Sequence, residues 1–314
     1  MGVELGVALC GVRCRGEQPP FFFRATWPCN PPPVIADSIA DTRPRFAMFA
    51  TRLCRARPVL AAAASGATAL ALADRVTRPT ECLATIPASS VELKYFNVRG
   101  VVETARHVMA LGGLEGWKET RWDIDFKKFS GPASLPVCCP GFGAAQASGE
   151  LDANLGRAPV LVIDGKHVIS QSKTIERYMA RMLGVLGATE VEAAQIDAFC
   201  EHLRDVKDKY QAAKKEADKE KAVKTFFGET MPEFMLKVEK ACVATSPYGG
   251  PAVVGSALSL ADVSLYVFLN DFFDDKASAL ASVAGCPRLM ASLAAVEAEP
   301  SIAKYRANRP QTGM

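Results

Sequence analysis

Two adjacent polar residues, Gln171 and Ser172, stand where a predicted strand ends and a predicted helix begins. The helix is predicted by the three- and four-residue spacing of apolar side chains over residues 175–182. A serine at this point can cap the first turn of the helix. That turn also offers unpaired backbone N–H groups and a partial positive charge, which attract anionic groups. We therefore predict that Gln171 and Ser172 lie at an anion-binding site.

A β-hairpin is predicted directly before this helix and would position it. Residues 160–163 are a short apolar run with β-branched side chains, and residues 167–169 supply the returning strand. The dipeptide Asp164-Gly165 between them is a strong hairpin signal. Farther upstream, residues 91–96 alternate apolar and polar side chains, and residues 101–111 carry an apolar helical face. The upstream pattern predicts a strand, a turn and a helix.

The stretch from 158 to 180, APVLVIDGKHVISQSKTIERYMA, closely resembles the glutathione-site half of the thioredoxin-like domain in glutathione S-transferases. The resemblance implies that a cis peptide bond precedes Pro159 and that the backbone of Ala158 pairs with the cysteinyl part of glutathione. It also implies that Gln171 and Ser172 hold the γ-glutamyl carboxylate. The fold expected from it is an α/β thioredoxin-like N-terminal domain followed by an all-α C-terminal helical domain.

A second motif, YFNVRGVVETAR at residues 95–106, resembles the opening of sigma-class glutathione S-transferases. In that class the tyrosine activates the thiol, so the resemblance implies that Tyr95 is the catalytic residue. The ending NRPQT at 308–312 is similar to that of sigma-class enzymes related to the glutathione-dependent prostaglandin D synthase. The resemblance thus extends from about residue 91 to the C-terminus.

The resemblance also implies contacts to the glycyl end of glutathione. Phe129 aligns with a tryptophan that relatives place there, and Arg157 could reach the glycyl carboxylate. This chain departs from the pattern at Val101, where close relatives carry an arginine. It is also longer between Phe129 and Gly156, where residues 130–143 are expected to form a loop that carries the thiol pair Cys138-Cys139 without a catalytic role.

The first 90 residues do not have the pattern of a folded domain. They hold ten arginines, no lysine and six acidic residues, which gives +4, and prolines and glycines interrupt any period. The Arg-rich, acid-poor segment 48–57 is typical of mitochondrial or plastid transit peptides, and the apolar run 59–73 is too short for a membrane span. A targeting or disordered leader is therefore expected at residues 1–90, and an unstructured extension without a targeting role is the alternative.

The sequence after residue 90 predicts two domains. A thioredoxin-like glutathione-binding domain is expected at residues 91–184 and an all-helical C-terminal domain at residues 190–314. The long helical stretch 190–224 begins the second domain, and the sequence SLAD at 259–262 predicts a capping box that opens an apolar helix. By resemblance, Asp205 in the first of these helices is lent to the glutathione site of a partner subunit in a homodimer.

Composition excludes several other classes of function. The net charge of the whole chain is only +3, so no nucleic-acid surface is indicated. The ten cysteines have no metal-binding spacing and are expected to be reduced thiols of an intracellular protein, either cytoplasmic or, with a transit peptide, mitochondrial or plastid. No metal and no cofactor are expected, because glutathione is a co-substrate.

The expected function is that of a glutathione transferase, a detoxification enzyme that joins the glutathione thiolate to a small hydrophobic electrophile. Two alternatives remain open: a glutathione-dependent isomerase or peroxidase of the same fold, and a glutathione-transferase-like binding protein without turnover. A thiol oxidoreductase would need a cysteine in the first turn after the first strand, where Val98 and Arg99 stand.

Overall fold

The structure is a computed structural model, and it describes residues 86–246 and 249–312. Residues 1–85, and with them nearly all of the predicted leader, lie outside the described residues. A short 3₁₀ turn, Ala88–Ser90, leads into the first strand. The backbone oxygen of Ser90 accepts a hydrogen bond from the N–H of Asp164, which connects the start of the described residues to the hairpin turn.

A four-stranded sheet forms the first half of the described chain. Its strands are β1 Val91–Phe96, β2 Lys118–Trp122, β3 Val160–Ile163 and β4 His167–Ser170. The spatial order is β2-β1-β3-β4, with β2 parallel to β1 and both β1–β3 and β3–β4 antiparallel. The predicted first strand and the predicted Asp164-Gly165 hairpin are confirmed.

Two helices pack against one another beside this sheet. They are α1 Glu103–Leu111, which connects β1 with β2, and α4 Ser172–Met182, which follows β4. The predicted apolar face of α1 is buried at Ala105, Val108 and Met109. Val101 is an exception: it precedes α1 in the 3₁₀ turn Gly100–Val102 and is 43% exposed.

The segment expected to form a loop between β2 and β3 is helical instead. It contains the helices α2 Leu135–Cys138 and α3 Pro140–Ala147. Each helix has a proline in its first turn, where the missing N–H costs no hydrogen bond, and that explains why a proline-rich stretch can form helices. Cys138 and Cys139 are therefore not a loop pair but buried, unbridged thiols between two helices.

Aromatic packing holds this helical segment against the sheet. The ring of Phe142 in α3 lies 5.0 Å from that of Phe96 and 5.7 Å from that of Trp122, centroid to centroid. Helix α3 ends at Ala147, two residues before Gly149, which takes a positive φ of 79°. The segment thus completes the core under β1 and β2.

The second half of the described chain is helical. The helices are α5 Glu190–Ala213, α6 Lys219–Thr225, α7 Met231–Thr245, α8 Leu260–Val267, α9 Lys276–Ala281, α10 Pro287–Ala298 and α11 Pro300–Asn308. Two π-helical turns, Phe226–Thr230 and Phe268–Phe272, extend α6 and α8. Within the described residues, no helix is both long and apolar enough to cross a membrane.

The predicted stretch 190–224 proves to be two helices. The break follows Ala213, and the side chain of Asp218 then caps α6 by accepting a hydrogen bond from the N–H of Lys221 at 3.1 Å. The Asp218 cap thus starts a new helix within the charged segment 214–224, which has no apolar face with which to continue α5.

The predicted capping box at the start of α8 is confirmed and lies in the core. The carboxylate of Asp262 is fully buried and accepts hydrogen bonds at 2.7 to 3.0 Å from the backbone N–H groups of Val253 and Ser259 and from the hydroxyls of Ser259 and Ser292. One side chain therefore fixes the start of α8, the loop before it and α10.

We expect Asp262→Ala to lower the free energy of unfolding by about 3 kcal/mol, because several buried donors lose their acceptor. Urea unfolding of the purified protein measures this change. Asp218→Ala, which removes an exposed cap of α6, is the matched control and should cost only about 1 kcal/mol. Equal losses in the two variants would contradict a core role for Asp262.

Candidate active site

A cavity of about 630 Å³ lies between the first half of the described chain and helices α5 and α8. Tyr95, Phe129 and Ser172 line it from the first half, and Leu203 of α5 and Phe268 line it from the second. The described residues also form a larger surface groove, of about 810 Å³, between α6 and α9. That groove contains none of the predicted site residues, so the smaller cavity is the candidate site.

Tyr95 lies near the end of β1, and its side chain is almost completely buried, at 8% exposure. Burial raises the pKa of its hydroxyl, although a hydrogen bond from the backbone N–H of Val101 and the charge of Arg106 act in the opposite direction. The hydroxyl therefore stays protonated at neutral pH.

Gly100 allows the close approach between the turn and the Tyr95 ring. Its φ is +50°, and a Cβ added there would lie 2.7 Å from the Tyr95 hydroxyl oxygen. Only glycine combines this backbone conformation with this contact. The turn thus holds the hydroxyl at the entry to α1.

The Ala158–Pro159 peptide bond is cis, as the family resemblance implied. Asn154, which is buried, connects this turn with Gln171. Its Nδ2 donates to the backbone oxygen of Pro159 at 2.8 Å, and its Oδ1 accepts from Nε2 of Gln171 at 3.2 Å. Asn154 was not predicted as a site residue, because a lone asparagine in an irregular turn carries no periodic signal.

Gln171 and Ser172 lie at the start of α4, as predicted, but the expected serine cap is wrong. Gln171 is the N-cap residue, and its side chain makes no capping hydrogen bond. The reason is its φ of +68°, with which its amide reaches Asn154. Ser172 is the first helical residue and lines the cavity, so the amide groups of the first turn of α4 remain available there.

The remaining predicted site residues are placed differently. Phe129, 42% exposed, stands at the edge of the cavity. Arg157 is exposed, and its Nε donates to the backbone oxygen of Asn154 at 3.3 Å. Asp205 is exposed on α5. Arg157 and Asp205 are not among the described residues that line the cavity of their own chain, and neither are Ala158, Pro159 and Gln171.

One cysteine, Cys200, lines the cavity. Burial raises the pKa of its thiol to about 12, and its Sγ lies 3.5 Å from the hydroxyl oxygen of Ser264. The thiolate is the nucleophilic form of cysteine, so this raised pKa disfavours Cys200 as a nucleophile at neutral pH.

A group of buried charged residues lies behind the cavity. Ligand atoms of Glu103, His107 and Asp271 lie within 4.8 Å of one another, a spacing that would suit a metal ion. Arg309 donates to the carboxylates of both Glu103 and Asp271, and Arg106 donates to Glu103 at 3.0 Å. The carboxylates are thus used by guanidinium groups, and the group is an ion-pair network.

Comparison with known proteins gives three close likenesses. The family model described as Glutathione S-transferase, C-terminal domain, matches residues 204–309. The hematopoietic prostaglandin D synthase of Gallus gallus is 29% identical over 224 residues, 71% of this chain and 98% of that protein. Glutathione S-transferase 1 of Ascaris suum is 26% identical over 228 residues, 70% of this chain and 97% of that protein.

Among solved structures, the glutathione S-transferase from Ascaris lumbricoides is 25% identical with a TM-score of 0.55, and the match covers 71% of this chain and 98% of that one. A mixed sheet with a cis-proline turn, followed by a helical region, defines the glutathione transferase fold, and the predicted fold class is confirmed. Residues 204–309 thus match the model of the glutathione S-transferase C-terminal domain, and the chain is similar to glutathione S-transferases over about 70% of its length.

We expect Gly100→Ala to lower the free energy of unfolding by more than the backbone strain of an alanine at positive φ would account for. An alanine at positive φ costs about 1–2 kcal/mol, and the collision with the Tyr95 ring adds about 1–3 kcal/mol. Gly113→Ala is the matched control: its φ is +74°, and no atom of the described residues lies within 4 Å of the added Cβ. Urea unfolding of both variants measures the difference, and equal losses would show that Tyr95 is not held against Gly100.

Proposed function

We propose that the protein is a sigma-like glutathione transferase that joins the thiolate of glutathione to hydrophobic electrophiles, with Tyr95 as the residue that activates the thiol. The observation that carries this proposal is the position of the Tyr95 hydroxyl, which faces the cavity beside the first turn of α1. Its oxygen accepts from the Val101 N–H, so its proton is available for a hydrogen bond to an anionic sulfur.

The site has to lower the pKa of the glutathione thiol. A thiol with a pKa near 8.5 is only a few per cent thiolate at neutral pH, and the thiolate is the nucleophile. The donated hydrogen bond from Tyr95 and the partial positive charge at the start of α1 both favour the anion. A depression of about two pKa units corresponds to roughly 2.7 kcal/mol.

The proposed glutathione subsite extends from the start of α4 to the cis-proline turn. Gln171 and Ser172 hold the γ-glutamyl carboxylate there, and the backbone of Ala158 next to Pro159 pairs with the cysteinyl part. The amide groups at the start of α4 and the Asn154 bridge between Gln171 and Pro159 support this placement.

Phe129 and Arg157 complete the proposed subsite at the glycyl end of glutathione. Phe129 supplies an apolar surface at the edge of the cavity. Among the described residues, the Arg157 side chain is bonded to a single backbone oxygen, so its guanidinium is able to turn toward the carboxylate. Glutathione is a co-substrate in this scheme, and the reaction uses no metal and no further cofactor.

The electrophile is proposed to bind in the remaining, mainly apolar part of the cavity. Ile124, Phe126 and Leu135 line it on one side. Phe268 and Phe272 line the other side, with their rings stacked at 5.7 Å and an interplanar angle of 14°. A flat apolar molecule fits between such walls.

The same thiolate also suits an isomerase or a peroxidase, and a binding protein without turnover would keep the same cavity. The name of the Gallus gallus relative makes a prostaglandin D synthase activity one form of the isomerase alternative. A conjugation assay with glutathione and 1-chloro-2,4-dinitrobenzene distinguishes transfer from binding alone.

We further propose that the protein is a homodimer in which Asp205 serves the partner's glutathione site. Asp205 lies nine residues after the buried Ile196 on α5, which is two and a half turns, so it projects away from the core. Its exposure, and its position outside the cavity of its own chain, suit a contact across a two-fold interface.

We expect Tyr95→Phe to lower turnover with 1-chloro-2,4-dinitrobenzene at pH 6.5 by about 10- to 100-fold, because a hydrogen bond to a charged sulfur is lost. The apparent pKa of bound glutathione should rise, while its dissociation constant changes little. Ultraviolet absorbance of the bound thiolate as a function of pH measures the pKa. Unchanged turnover at pH 6.5 would show that Tyr95 is not the activating residue.

We expect Asp205→Ala to weaken glutathione binding in the dimer by about 10-fold, because the ammonium of the γ-glutamyl group loses a carboxylate partner. Calorimetric titration with glutathione measures the dissociation constant. The matched control is Glu190→Ala at the start of the same helix, which is exposed, does not line the cavity and should leave the dissociation constant unchanged within about twofold. The wild-type protein can also be diluted until it is monomeric. If this monomer binds glutathione as tightly as the dimer does, the site is not shared between subunits.

A further inference from the structure

A lysine is placed against the apolar wall of the candidate active site. Lys207 of α5 is half-buried and lines the cavity, and its Nζ lies 4.5 Å from the centroid of the Phe272 ring. A cation over an aromatic face gains a modest stabilisation but no counter-charge. The electrophile part of the cavity therefore contains a partly desolvated ammonium group.

The other cations around the cavity are paired with carboxylates. Lys173 forms an ion pair with Glu176 at 2.8 Å, Lys214 with Asp274 at 3.1 Å, and Arg204 with Glu201 at 2.5 Å. Among the described residues, no carboxylate lies within ion-pair distance of the Lys207 Nζ. Lys207 is thus the cation of this wall that has no ion-pair partner among the described residues, although the neighbouring Asp208 also lines the cavity.

The electrostatic surroundings of Lys207 agree with its geometry. Burial lowers its pKa first, and the charge of Lys173 lowers it further, while Glu176 and Asp208 raise it from a distance. Because Glu176 is already paired with Lys173, it does little to balance a second ammonium. An anion placed beside Lys207 would restore the balance.

We propose that the second substrate carries an anionic group, such as a carboxylate, on its apolar body and that the ammonium of Lys207 binds this group. This inference rests on the proposed function and specifies the class of electrophile. The aromatic rings of Phe268 and Phe272 hold the apolar body, and the anion lies at Lys207. The reacting carbon then lies on the Tyr95 side of the same cavity.

Two aryl chlorides that differ in charge test this specificity. 1-Chloro-2,4-dinitrobenzene is neutral, and 4-chloro-3-nitrobenzoate carries a carboxylate. In both reactions the thiolate sulfur forms a bond to the ring carbon, and the carbon–chlorine bond breaks as chloride leaves with the electron pair. The glutathione thiol loses its proton to solvent before this step.

Lys207→Gln should lower kcat/KM for 4-chloro-3-nitrobenzoate by about 10-fold or more, the loss expected for a hydrogen bond to a charged group. The value for the neutral chloride should stay within about twofold. Lys207→Arg, which keeps the charge, should retain the preference for the anion. Lys209→Gln is the matched control: it removes one exposed charge from the same helix, two residues and about 200° away, and should change neither value.

A binding measurement separates this inference from the proposed function. Calorimetric titration with 3-nitrobenzoate and with nitrobenzene requires no turnover, and Lys207→Gln should weaken only the former. Equal losses of affinity for both ligands would overturn the role of Lys207. A higher KM for glutathione with both electrophiles would also overturn it, because Lys207 would then contact glutathione and not the electrophile. Selective loss of 3-nitrobenzoate binding in a protein that conjugates neither chloride would support the anion site and contradict transferase activity.

Discussion

The buried carboxylate of Glu103 is the interaction on which the arrangement of the site depends. Glu103 is 1% exposed and accepts hydrogen bonds from Arg106 at 3.0 Å, from the hydroxyl of Tyr305 at 3.0 Å and from Arg309. Burial alone would raise its pKa, but the nearby positive charges outweigh that effect and lower it. A buried carboxylate is stable only with such partners, so α1 requires α11 and the residue that follows it. Because α1 begins at the turn that holds Tyr95, the C-terminal segment also fixes the end of β1 that carries Tyr95.

A second carboxylate extends this network to the other wall of the cavity. Asp271 lies in the π-helical turn after α8 and accepts hydrogen bonds from Arg99 at 2.5 Å and from Arg309 at 3.4 Å. Arg99 directly precedes Gly100, and Asp271 itself lines the cavity. Since Arg309 contacts both Glu103 and Asp271, the two walls of the cavity are joined through charged hydrogen bonds. These hydrogen bonds therefore help to set the separation of the two walls, and with it the width of the cavity.

The parts of the fold that the sequence predicted correctly are those in which neighbouring residues decide the structure. The Asp164-Gly165 turn and the capping box of Ser259 and Asp262 are local patterns, and both formed as expected. The helices between β2 and β3 were missed, because their stability comes from Phe142 packing on distant rings of the sheet and not from a helical period. Asn154 and Arg309 were missed for a related reason. Each acts through partners that are distant in the sequence and come together only on folding, so a single polar residue in the sequence does not predict its partners.

The distribution of charge around the cavity would orient an electrophile that binds in the proposed site. Close relatives are expected to carry an arginine at the position of Val101, beside Tyr95, but here an exposed valine occupies it. A cation without an ion-pair partner among the described residues lies instead on α5, at Lys207, against the Phe272 ring. An anionic electrophile would therefore be attracted by its charged end toward the helical wall, and its uncharged end would face the hydroxyl of Tyr95. That orientation keeps the substrate's negative charge away from the thiolate, so the charge that aids binding does not repel the nucleophile.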